Sequence, residues 1–195
     1  MKKLSVNGWL ARSRKEFVVD SIRRNAALVD FNAVIEAVGR IKVLDWTAAV
    51  ALLHMVYGWM PTMLRTIEPH TKKQADHLLL CLRKVRKGEM LSFDELEVVR
   101  HFSNKSIVGA SKVLHALNPS LYAIWDSRVA KVFMWKTVTR GTFAKTERYF
   151  EYTKEISMWA LDKRVVARCR ALRKLNKELR DASDIRLIEL VMFVK

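Results

Sequence analysis

Residues 106–133 read SIVGASKVLHALNPSLYAIWDSRVAKVF. Apolar residues recur at helical spacing from Ile107 to Leu117, with Ser106 where an N-cap belongs. Lys112 interrupts that apolar run. NPS (118–120) breaks the pattern, and Asp126 then stands as the cap of a second helical run, SRVAKVFMW (127–135). Each charge alone has an ordinary reading. Aspartate is a common N-cap, and lysine can carry its ammonium out of an apolar face to water. One lysine inside an apolar helix, followed after a loop by one aspartate opening the next helix, also suits chemistry. A lysine desolvated by apolar neighbours becomes a neutral nucleophile at lower pH, and a nearby carboxylate stabilises developing positive charge.

The pattern extends outward as helix. Asp45 caps TAAVALLHMVYG after Trp46, Pro61 opens PTMLRTIE (61–68), and Thr71 caps KKQADHLLLCLRKVRK with Gly88 as its stop. Ser92 to Glu95 reads as a capping box. TRGT (139–142) reads as a turn. FAKTERYFEYTKEISMWAL and 163–180 read as helices, the second with Val165, Cys169, Leu172 and Leu179 as its apolar stripe. DASD (181–184) breaks that helix, and Ser183 caps DIRLIELVMFV. No period-2 run argues for a strand, so the expected class is all-α, with about eight to ten helices in a single domain over 1–195.

Composition bounds the partners. Half of the 195 residues are hydrophobic, enough for a packed core. Cys81 and Cys169 lie far apart and read as buried small hydrophobes, giving neither a disulfide framework nor a metal site. No metal or cofactor is expected. The basic N-terminus lacks a signal peptide's apolar run, and no stretch reads as a membrane span, so a soluble, cytoplasmic protein is expected. The formal net charge is +16. Between Arg128 and Arg180 fifteen Lys/Arg stand against five Asp/Glu. So one-sided a balance favours a polyanion, most simply DNA.

The order of these parts resembles the helix-hairpin-helix DNA glycosylase superfamily, which includes endonuclease III and the 8-oxoguanine glycosylases. The matching residues are Gly109 in IVGASK, Lys112, and Asp126 in IWDSRV, within a hairpin and catalytic segment of about 100–135. The resemblance implies a glycosylase-like fold in which Lys112 attacks the sugar and Asp126 assists departure of the base. It also implies that Gly109, Ser111 and nearby amides hold a phosphate. His54, Tyr57, Trp59, Tyr122 and Trp125 become candidates for the pocket of a flipped base. Arg128, Lys131 and the basic C-terminal helices (144–195), through Arg170, Arg173, Lys174 and Lys177, become candidates for the backbone of double-stranded DNA. The family's four-cysteine loop is missing, so no iron–sulfur cluster is expected. A short, strongly basic chain of this kind also resembles virus-associated branches that act on hypermodified bases, including the glutamyl/putrescinyl thymine pyrophosphorylase group. Base excision and base modification in place both stay open. Its setting would be nucleoid or viral DNA in a bacterial or virus-infected cell.

Two other readings compete. RTIEPH (65–70) fits the R-x4-H pattern of helical ribonucleases, although Pro69 disturbs the helix which that chemistry needs. A DNA-binding module without chemistry would need Lys112 only for phosphate and Asp126 only as a cap. His115, one turn after Lys112, reads as a core histidine.

Overall fold

The computed structural model describes residues 3–24, 27–60, 63–65, 71–134 and 139–194. Among them the elements run α1 (Val6–Ser13), α2 (Glu16–Arg24), α3 (Ala27–Gly39), α4 (Trp46–Gly58), α5 (Lys72–Arg86), α6 (Phe93–Phe102), α7 (Ile107–Leu117), α8 (Ser127–Met134), α9 (Arg140–Phe143), α10 (Thr146–Trp159), α11 (Lys163–Arg173), a 3-10 turn (Lys177–Leu179) and α12 (Asp184–Phe193). The protein is all-α, and none of its described helices is long and apolar enough to cross a membrane.

Local chemistry places most boundaries. Asp45 accepts the Ala48 amide, Thr71 and Ser92 form complete capping boxes with Gln74 and Glu95, and Ser106 and Ser183 cap α7 and α12. Gly88 ends α5 with φ +86, a left-handed conformation open to glycine at little cost. Three departures from the sequence pattern stand out. TRGT begins a short helix, α9, rather than forming a turn. The basic helix stops at Arg173, because Asn176 caps a separate 3-10 turn. The N-terminal residues supply α1 to α3, which bring the described α-helices to twelve.

Two helices, α7 and α12, lie inside the others. Nearly every residue of each is buried, and α7 packs against α3, α4, α5, α6 and α10, while α12 packs against α1, α2, α8, α10 and α11. An apolar cluster running from Leu4 to Val194 fills the space between them. The N-terminus is stitched to α12: Trp9 Nε1 donates to Ile188 O at 3.0 Å, and Arg12 donates to the carbonyls of Val191 (2.8 Å) and Val194 (2.7 Å) at the end of α12. A cation there satisfies carbonyls with no helical partner.

Some of the arginines bond to the fold itself. Arg83 and Arg86 donate to the carbonyls of Leu44 and Ile41, Arg168 to Ser13, and Arg173 to Ala182 O and Asp184. Cys81 and Cys169 are buried, free and held up to about 11 and about 12 by desolvation, so neither is a thiolate near neutral pH.

A candidate active site around Lys112

The connection between α6 and α7 turns through Asn104 (φ 54) and Lys105 (φ 52), two residues in the left-handed region. Asn104 clamps the turn to the segment beside it. Its side chain accepts the Arg65 amide and donates to Met63 O, both at 2.9 Å. Of RTIEPH only Arg65 is described; Pro61 and residues 66–70 lie outside the described residues, and residues 63–65 of the segment expected as a turn or short helix are not helical.

Gly109 and Ser111 have structural jobs rather than phosphate contacts. The Gly109 amide already donates to Ser106 Oγ at 3.2 Å, and Gly109 is buried. A Cβ at this position would lie 2.1 Å from the Tyr57 hydroxyl. Glycine is required because Tyr57 lies across it to donate to Ser103 O at 2.7 Å. Gly109→Ala is therefore expected to cost about 2 kcal/mol, a typical overpacking penalty. The added substitution Tyr57→Phe should return part of that loss in urea unfolding. Ser111 Oγ accepts the Trp125 amide at 3.0 Å and donates to Val108 O at 2.8 Å. It pins the loop before Asp126 to α7, and so fixes where Asp126 stands relative to Lys112.

Lys112 retains 9% exposure. Its Nζ rests 4.9 Å from the centre of the Trp59 ring and makes no hydrogen bond or ion pair with any described residue. Desolvation lowers its pKa. The charges of Asp126 and Glu189 oppose that shift, and Arg186 adds to it. These interactions place the two residues singled out in the sequence within one electrostatic neighbourhood. Asp126 Oδ1 accepts the amides of Arg128 and Val129, both at 2.8 Å, so it caps α8.

Two residues of this cluster were not singled out in the sequence. Arg186 and Glu189, one turn apart on α12, form a buried ion pair. Their signal was available, since they are charges inside the apolar run of DIRLIELVMF, the same irregularity that marks Lys112. Glu189 is fully buried, and desolvation pushes it up to about 7. His115 Nδ1 lies 2.6 Å from Tyr122 O, while its Nε2 has no partner; burial and the Arg186 charge hold it down to about 3. The Tyr152 hydroxyl is also buried without a hydrogen-bond partner, within the field of Glu189 and Asp126. Buried polar atoms without partners are uncommon, and among the described residues His115 Nε2 and the Tyr152 hydroxyl are two of them, both on side chains that feel the Arg186 charge.

The expected base pocket does not assemble as a set. His54 is exposed, Tyr57 covers Gly109, and the Tyr122 hydroxyl accepts the Leu91 amide at 2.8 Å. Trp125 donates to Phe143 O and packs among Phe133, Tyr149 and Tyr152. These are core roles. Trp59 borders Lys112, and its ring centre lies 4.7 Å from that of Phe31.

The basic candidates divide likewise. Arg128 and Lys131 are exposed on α8, with Arg128 stacked over Phe193. Arg170 on α11 and Lys174 at its C-cap are exposed. Arg173 is instead tied to Asp184 at 2.6 Å. Lys177 lines a cleft of about 370 Å³ beside Glu36, Glu178 and Asp181, with Arg186 on its wall. Three carboxylates there disfavour phosphate. No group of His, Cys, Asp and Glu among the described residues could hold a metal ion.

Comparison with protein-family models, with curated proteins and with solved structures returned no match.

Proposed function

We propose that the protein is a DNA-acting enzyme of the glycosylase type, with Lys112 as the reacting amine and Asp126 as the carboxylate that assists it. One observation carries this reading: Lys112 is a desolvated lysine with no ion-pair partner among the described residues, and the charge of Asp126 acts on it. A cation held this way costs free energy in a merely structural role. The lowered pKa makes the neutral amine accessible, and Trp59 offers an aromatic face beside it. Attack of that amine on the sugar carbon of a flipped nucleotide would release the base and leave a Schiff base on Lys112. A branch of the same chemistry would leave the base on the DNA and alter it there. Arg128 and Lys131 on α8, with Arg170 on α11 and Lys174 at its C-cap, would hold phosphates.

Reductive trapping tests this. Duplexes carrying abasic sites or modified bases, incubated with the protein and borohydride, should yield a covalent adduct that peptide mass spectrometry maps to Lys112. Lys112→Met should lose it. An adduct on another lysine, or an equal yield with Lys112→Met, would remove Lys112 from the chemistry. The competing reading, a DNA-binding module with a charge-balanced core, draws on the near balance of Lys112 and Arg186 against Asp126 and Glu189. It would give binding and no adduct.

A further inference from the structure

Two large apolar side chains stand in solvent at the α10–α11 corner: Met158 is 71% exposed and Leu161 82%. The backbone that carries them is tied down. Ala160 N donates to Ile156 O at 3.0 Å, Leu161 N to Met158 O at 3.1 Å, and Asp162 N to Trp159 O at 3.0 Å. Trp159 is buried, with its ring centre 6.1 Å from that of Phe133. Asp162 then caps α11. It accepts the Arg164 amide at 2.8 Å, and its second oxygen pairs with the Arg164 guanidinium at 2.7 Å. A single exposed apolar residue needs no explanation, but a pair held on a hydrogen-bonded corner gains nothing in water.

A row of cations leads away from this corner. The α11 helix buries Val165, Cys169 and Leu172, and it packs on α1 and α12. Lys163, Arg170 and Lys174 are exposed, and none pairs with a carboxylate of any described residue. At helical geometry the three fall within an arc of about 40°, opposite the buried side chains, and span ~16 Å along the axis. Ala167 and Ala171 are exposed beside them, so no bulky side chain holds a partner off. The only carboxylate between Met158 and Lys174 is Asp162, which Arg164 already occupies.

A straight row of cations without an acid fits a polyanion that is itself linear. A bilayer surface asks for apolar side chains along the length of a helix face. This face carries lysine, arginine and alanine, and its large apolar groups stand at one end only. Duplex DNA meets both halves, with a line of phosphates for the row and a stack of bases beside it for the tip. We propose that the α10–α11 corner is a wedge-bearing DNA contact, in which Met158 and Leu161 enter between neighbouring base pairs while Lys163, Arg170 and Lys174 hold phosphates alongside. The proposal rests on the reading of the protein as DNA-acting, and adds to it a way of opening the base stack. Insertion costs the stacking of one step, and the phosphate contacts offset that cost.

The test uses the full chain and a set of duplexes carrying 2-aminopurine at successive positions, whose fluorescence rises when its neighbours unstack. The wild type at saturation should raise it severalfold at one position or more. Met158→Ala combined with Leu161→Ala should lose the rise and keep the wild-type urea midpoint, because both positions are exposed. Leu161→Met alone should keep the rise. Changing Lys163, Arg170 and Lys174 together to Gln should lower the slope of log affinity against log salt by about 3, close to one for each cation removed. A rise that the double alanine variant retains overturns the wedge, since the bases then unstack elsewhere. An unchanged salt slope overturns the phosphate row. Phosphatidylserine vesicles that capture the wild type and not the double variant, with 2-aminopurine unmoved on bound DNA, would overturn the proposal and assign the corner to a membrane surface. Binding to duplexes without unstacking removes the wedge alone. No binding to any duplex at low salt removes the DNA-acting reading together with it.

Discussion

Asp126→Asn should lower turnover by about 100-fold to 1,000-fold, the range typical for removal of one electrostatic contact to a transition state, and leave folding and DNA affinity near those of the wild type. The comparison with Asp126→Ala gives this prediction its force. Asp126 Oδ1 caps α8 by accepting the amides of Arg128 and Val129, and its charge opposes the lowering of the Lys112 pKa. Asparagine is as good an N-cap as aspartate, whereas alanine forfeits about 1 kcal/mol of cap stability. If Asp126 only caps, asparagine should behave as wild type and alanine should show a stability loss. If the charge acts on the reaction, both variants should be equally inactive, with only alanine destabilised. Turnover on DNA measured beside urea unfolding separates the two roles. Wild-type turnover in Asp126→Asn would assign the residue to the helix cap alone.

The second large effect lies in the pH dependence of stability. His115 is held down to about 3 from 6.5, because burial and Arg186 disfavour its imidazolium. As pH falls below 6.5 the unfolded chain binds a proton that the native state refuses. Stability is lost at about 1.4 kcal/mol per pH unit, down to about pH 3. Glu189 has the opposite sign. Its folded pKa is raised from 4.5 to about 7, so its contribution is fully present below 4.5 and is lost as pH rises through 7. Between pH 4.5 and 6.5 the two slopes oppose each other, and the wild type should hold nearly constant stability from these two groups. Below 4.5 only His115 continues, and stability should fall steeply. In His115→Phe, which keeps a ring for Phe31 to stack on, the cost on the acid side disappears. The stability difference between wild type and variant should therefore change by about 3 kcal/mol from pH 6.5 to 4.5, two proton-linked pH units. Urea unfolding at a series of pH values measures it. Parallel curves for the two proteins would mean that His115 titrates alike in the folded and unfolded chains.

What the sequence made legible follows from how local each signal is. The caps at Asp45, Thr71, Ser92, Ser106, Asp126 and Ser183 are decided within three residues of the chain, and each stands where its pattern placed it. Lys112 and Asp126 were visible because each breaks an apolar or loop pattern within one short segment. Gly109 was misleading. A glycine next to a hairpin suggests a backbone open to phosphate, but the reason for this one is Tyr57, more than fifty residues earlier, and no local pattern reports such a contact. The basic run 163–180 misled in a similar way. Charge was readable from the letters, but not that Arg168 and Arg173 turn inward to carbonyls and Asp184 while Arg170 and Lys174 stay exposed. Arg186 and Glu189 were as visible as Lys112; what the letters lacked was that α12 packs beside α8 and α10, and that the charges of the pair act on Lys112.

The most direct measurement of the central claim is release or alteration of a base. The protein and its Asp126→Asn variant would be incubated with a panel of DNAs that includes hypermodified viral genomes, and free and retained bases identified by mass spectrometry. The expected result is a base freed, or altered on the strand, by the wild type and by the wild type alone. Unchanged bases in every DNA, with tight binding by both proteins, would contradict an enzymatic role for Lys112 and Asp126 and leave a protein that binds DNA without acting on it.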